Sequence, residues 1–141
     1  MNLVVDASVA AKWLFDEPDT GKARAILGSA EGGEVKLLAP EILVAEIANS
    51  LWKRAQRGDI DRASAFGLFD SFEKVEIKLT DIHDLIGNAM SIAFRHHHPV
   101  YDCLYIVLAR NEGCDLVTAD QRLHRVFAKD FPQVRLLRDW S

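Results

Sequence analysis

Near its N-terminus the chain reads Leu3-Val4-Val5-Asp6-Ala7-Ser8, an apolar run that meets an acid and then a helical pattern. A short apolar run without polar alternation suits a strand buried on both faces. The same arrangement returns late in the chain as Leu116-Val117-Thr118-Ala119-Asp120. Further strand patterns fall at Lys36 to Ala39, Val75 to Leu79 and Val134 to Leu137. Helical patterns fill the intervals: Ser8 to Phe15 with Ser8 as cap, Thr20 to Leu27, and Glu41 to about Arg57 behind Pro40. They continue over Asp61 to Phe72, Asp84 to Arg95 and Gln121 to Lys129. The run Cys103 to Ala109 fits a buried strand or a buried helix, but its extension to Gly113 with Asp102 in front favours a capped helix. Strands alternating with helices specify an α/β fold: a three-layer α/β/α sandwich around a mainly parallel sheet of about five strands. Ligands of such sheets lie outside the carboxyl ends of the strands.

The length of 141 residues suits a single domain over residues 1–141, large enough for a core without disulfides or structural metal. An apolar content of 49% with 27% charged residues excludes a disordered chain. The longest apolar run, Cys103 to Ala109, has seven residues, far below the roughly 20 of a membrane span. The opening MNLVVDAS lacks the basic stretch and long apolar segment of a secretory signal, so a cytoplasmic location and no membrane partner are expected. Cys103 and Cys114 form no CxxC pattern and read as small core residues. The net charge of −4 speaks, on its face, against a nucleic-acid binder.

The chemistry gathers at acids. If the first and late strands are parallel and central, Asp6 and Asp120 leave the sheet at one edge. Asp102 opens the most apolar helix and reaches the cleft through the loop His98 to Tyr101. Asp102 and Asp120 both have an alternative role as helix caps, whereas Asp6 is harder to explain that way because Ser8 already serves. Converging carboxylates repel one another unless a cation holds them ionised. Hard oxygen ligands select Mg²⁺ or Mn²⁺ over zinc, and such ions assist hydrolysis of phosphodiesters.

Four segments in order carry a resemblance: Val5-Asp6-Ala7-Ser8, Pro40 to Asn49, Val100-Tyr101-Asp102-Cys103-Leu104-Tyr105, and Leu116 to Asp120. Together they resemble the PIN-domain ribonucleases, most closely the VapC-type toxins of toxin–antitoxin pairs, across nearly the whole chain. The family's acidic quartet falls on Asp6, Glu46, Asp102 and Asp120, without a substitution. Thr118 matches the hydroxyl residue that helps order the site, and Ser8 occupies a frequent hydroxyl position beside it. The resemblance implies a PIN-like fold and an endoribonuclease dependent on Mg²⁺ or Mn²⁺. It implies in-line attack of water that leaves 5′-phosphate and 3′-hydroxyl ends, with no covalent enzyme adduct. It further implies a homodimer restrained by a VapB-type antitoxin.

Glu46 tests the two readings against each other. On a helical wheel it shares a polar face with Asn49, Ser50, Lys53, Gln56 and Arg57, opposite Leu43, Ile47 and Leu51, so periodicity alone assigns it to a solvated face. Ile42 on the same side indicates partial cover by a subunit or an antitoxin. Without the four acids the remaining chain is neutral, and Lys53, Arg54, Arg57 and Arg95 become candidates for phosphate contact or ordinary solvated bases.

Other signals are weaker. Consecutive His96, His97 and His98 point about 100° apart on a helix and cannot jointly chelate one ion, although His98 lies near Asp102. Asp16, Glu17, Asp81 and Asp84 read as caps and solvated charge, and Asp115 lies at the wrong end of its strand. Trp13, Trp52 and Trp140 suit core or protein contact better than base stacking. Two other functions remain open: a phospho-accepting receiver-like module, which expects paired acids after the first strand, and a catalytically silent PIN-like binding domain.

Overall fold

A computed structural model describes all 141 residues. Five parallel strands lie in the order β3-β2-β1-β4-β5: β1 Asn2–Val5, β2 Lys36–Pro40, β3 Lys78–Thr80, β4 Asp115–Thr118 and β5 Val134–Leu136. The helices are α1 Ala7–Ala10, continued as a 3₁₀ turn over Ala11–Trp13, α2 Thr20–Glu31, α3 Ile42–Gln56 and α4 Arg62–Glu73. After β3 come α5 Ile86–His96, α6 Val100–Glu112 and α7 Gln121–Phe127. The expected α/β/α sandwich is present. The chain steps from β1 to β2 to β3 in one direction, then returns past β1 to β4 and β5. Right-handed crossovers therefore put α1 to α4 on one face and α5 to α7 on the other. The reversal between β1 and β4 is a topological switch point, the place where such sheets form a ligand crevice outside the carboxyl ends of their strands.

A cluster of 32 buried apolar residues fills the layers. Leu3, Val4 and Val5 are wholly inaccessible, as a central strand covered on both faces requires. Leu104 to Ala109 are buried on every side, which explains why periodicity left that segment ambiguous. The ambiguity resolves to the helix, ended by Gly113 in the left-handed region at φ 61°.

Several expectations are corrected. The first helix is capped by Asp6, and Ser8 lies inside it. Asp102 lies in the first turn of α6, whose N-cap is Pro99. Because the crossover helix runs antiparallel to the strands, its first turn already stands at their carboxyl edge, and no loop is needed to carry Asp102 there. The third strand covers only Lys78–Thr80, since Val75 turns back to bond Phe72 and β3 pairs on one side alone. Helix α2 continues through Gly28 to Glu31, because the packing of Ala23 and Ile26 outweighs the low helix preference of glycine. No helix is long and apolar enough to cross a membrane.

Candidate active site at the carboxyl edge of the sheet

Parallel pairing of β1 with β4 puts Val5 opposite Val117, which brings Asp6 level with Thr118. Asp6 is only 6% exposed. Its Oδ1 accepts the backbone N–H of Ser8 at 3.1 Å, that of Val9 at 3.3 Å, and the Ser8 hydroxyl at 2.5 Å. Its Oδ2 accepts the Thr118 hydroxyl at 2.5 Å. Ser8 Oγ in turn accepts the Ala119 N–H at 2.8 Å, and Thr118 Oγ1 accepts that of Asp120 at 3.1 Å. Two hydroxyls thus splice the ends of the two strands around one carboxylate. Burial pushes the Asp6 carboxyl up to about 6, and the charge of Asp102 adds to the rise, against the lowering effect of the Ser8, Thr118 and Val9 donors.

Glu46 reaches this edge from the second turn of α3. It is half-buried, and Tyr105 of α6 donates its hydroxyl to Oε1 at 2.5 Å, so the assignment to a solvated face is corrected. The wheel missed it because one helix seen alone cannot show that a second helix covers its polar side. Burial raises the Glu46 carboxyl above its usual range, Tyr105 opposes the rise, and Asp102 adds to it. Tyr105 is itself 1% exposed; burial first, then Glu46, holds its phenol far above the ordinary value, so it remains a donor.

Asp102 therefore acts on both neighbours, and the three carboxylates of Asp6, Glu46 and Asp102 share one field. His98 Nε2 stands 2.7 Å from Asp102 Oδ2. Asp120 is exposed at the end of β4, where its Oδ1 caps α7 through the N–H groups of Arg122 at 2.9 Å and Leu123 at 3.2 Å. It is tied to Asp6 through its own N–H and Thr118.

No three His, Cys, Asp or Glu side chains already stand as a finished cage for an ion. The donor set nevertheless fits a hard divalent cation. Glu46, Asp102 and Asp120 each engage one carboxylate oxygen with the chain and leave the other without a protein donor. Carboxylate oxygens alone, without thiolate, are the chemistry of Mg²⁺ and Mn²⁺ sites. Burial first, and the charge of Asp102 after it, raise the Asp6 and Glu46 carboxyls, and a bound cation would offset both costs.

Two residues of this edge carry more than the sequence reading gave them. In the sequence Tyr105 is the last residue of a motif, and His98 is simply close to Asp102. Their separations from Asp102, three residues onward and four residues back, are the signal that would have found them. The three histidines diverge: His96 packs on Phe127 and Phe131, His97 is exposed at φ 52°, and His98 turns to Asp102. Among the candidate bases, Arg54 is committed to Glu17 at 2.9 Å and to the Phe15 ring, while Arg57 pairs with Asp59. Glu17, expected to be solvated charge, is half-buried between Arg54 and Lys12. Lys53 and Arg95 are exposed.

The family model of the PIN domain matches residues 3–129, from β1 through α7. The chain belongs to the PIN-domain family. All four acids of the expected quartet fall inside the matched span. This PIN domain is 30% identical over 129 residues to ribonuclease VapC3 of Pyrobaculum aerophilum, covering 90% of this chain and 95% of the relative. A crystal structure from the same organism superposes with a TM-score of 0.72 at 21% identity, covering 98% of this chain and 93% of that one. VapBC2 of Rickettsia felis, solved bound to a DNA fragment from its promoter, superposes at 0.65 with 15% identity, covering 96% and 97%. These two structures share the fold of this PIN domain. PIN-domain ribonucleases generally depend on a divalent metal.

Proposed function

We infer that the chain is a VapC-type endoribonuclease that hydrolyses RNA phosphodiester bonds, with residues 1–141 acting as one PIN-like domain. The carrying observation is that Asp6, Glu46 and Asp102, from three separate elements of a PIN-family chain, share one negative field at the β1/β4 crevice. Asp6, Glu46, Asp102 and Asp120 would hold Mg²⁺ or Mn²⁺, with Thr118 ordering Asp6. When bound, such an ion lowers the pKa of water and offsets charge on phosphoryl oxygens.

The chain's own residues do the rest. Ser8 and Thr118 fix the Asp6 carboxylate, so that little reorganisation is needed when substrate arrives. Tyr105 fixes Glu46 from the covered side. Asp120 is exposed just past the end of its strand, accessible to a polymeric substrate. Of the four candidate bases, Lys53 and Arg95 are exposed and outside any ion pair, available to phosphates of RNA.

The partner is a VapB-type antitoxin, a reading supported by the VapC relative and the VapBC neighbour in fold. A homodimer is supported by the exposed stripe of Ile86, Met90 and Phe94 along α5, since monomers seldom expose contiguous large apolar side chains. The toxin then works in the cytoplasm.

The test is cleavage of total RNA by the purified chain, with EDTA and with Mg²⁺ or Mn²⁺ restored, beside Asp102→Asn. Cleavage that needs metal and disappears in Asp102→Asn is expected. Undiminished cleavage in EDTA, or in Asp102→Asn, overturns the mechanism.

A further inference from the structure

We propose that His98 is a positioning residue that aims the Asp102 carboxylate into the crevice, by donating from Nε2 to Oδ2. The proposal rests on Asp102 being a metal ligand. Its own support is the way the chain builds the histidine in. Helix α5 ends on His97 in the left-handed region, at φ 52°, a conformation disfavoured for a residue with a Cβ. That turn returns the His98 N–H to the carbonyl of Ala93 at 3.1 Å and points the ring inward. The side chain is 6% exposed, and its ring lies T-shaped against that of Phe127, with centroids 4.9 Å apart and planes at 80°. Phe127 is wholly buried, so the ring plane has a rigid backing.

A histidine placed only to fill space would not need to stop 2.7 Å from a carboxylate. A carboxylate that ligates a cation can only accept, so the proposal assigns the hydrogen to Nε2. With Oδ2 so engaged, Oδ1 is the oxygen of Asp102 left without a protein donor. The arrangement resembles the way histidine and carboxylate partners behind a ligand set its orientation, where loss of the outer partner typically weakens metal affinity about 10- to 100-fold.

The experiment reads Mn²⁺ binding from the free-ion electron paramagnetic resonance signal in His98→Phe, His98→Gln, Asp102→Asn and the unaltered protein. Thermal transitions of all four are recorded without metal. Asp102→Asn reports on the ligand reading by itself: binding unchanged there removes Asp102 from the site and the proposal with it. If Asp102→Asn loses binding, His98→Phe is expected to bind about tenfold or more weakly, with His98→Gln largely restored through its amide N–H. Unchanged affinity in His98→Phe overturns the proposal and leaves the ligand reading standing. Equal loss in both His98 variants, tracking a lowered thermal transition, also overturns it in favour of a structural role. A measurement on the unaltered protein guards against misfolding. The imidazole ¹⁵N spectrum should show His98 protonated at Nε2, with that resonance moving as Mg²⁺ is added, and a stationary resonance refutes the assignment.

Discussion

Thr118 donates its hydroxyl to Oδ2 of Asp6 across 112 residues of sequence, joining the ends of two adjacent parallel strands at a buried carboxylate. The bond makes the threonine part of the crevice as well as of the strand. It also leads to the first test. Thr118→Val keeps the shape and removes the donor, so Asp6 loses a charge-assisted bond worth about 1.5–3 kcal/mol. The melting temperature at neutral pH should fall and RNA cleavage with it, while Thr118→Ser retains most of both. Calorimetry and a cleavage assay check the pair.

The pH dependence of the metal-free protein follows from Asp6. Its carboxyl rises from 3.8 to about 6 on folding, so between those values the folded state binds more protons than the unfolded state. Stability from this group therefore increases as pH falls from 7 toward 4, by about 3 kcal/mol at full effect. Asp6→Asn keeps an acceptor for the Ser8 and Val9 N–H groups and has no charge to bury. It should melt at or above the unaltered protein at pH 7.5 and lose that advantage by pH 4, while cleaving no RNA. A parallel pH response of the two proteins would contradict the burial argument.

Tyr105→Phe isolates Glu46. Loss of the hydroxyl removes the donor that opposes the rise of the Glu46 carboxyl, so Glu46 becomes harder to ionise. The change should destabilise the fold by about 1 kcal/mol and shift the pH needed for cleavage upward. The readout is the acid limb of the rate profile, beside a chemical denaturation curve.

Phe94, 77% exposed, heads the apolar stripe of α5. Replacement by Asp should convert a dimer to a monomer with little change in the melting temperature of the monomer fold. Light scattering after size exclusion distinguishes the two states. A monomer in the unaltered protein at micromolar concentration would remove the dimer from the functional reading.

The order of elements was legible because apolar runs that end in an acid and alternate with helical patterns admit few topologies. The helix ends were less so. Ser8 looked like a cap because cap preference is a local rule, whereas Asp6 takes that role and uses its second oxygen on a strand more than a hundred residues away. The strand through Val75 was overextended because alternation does not reveal that β3 has a neighbour on one side only.

By itself the amino-acid sequence determined the parallel α/β architecture and, through its resemblance to PIN domains, the four acids worth watching. Burial of an apolar run and the run of acids at strand ends are written in local composition. Only the tertiary structure decided that Glu46 is covered, that Asp102 lies within a helix turn, and that Tyr105 and His98 stand behind them. Those facts depend on which helix packs over which, and no pattern along a single element carries that information.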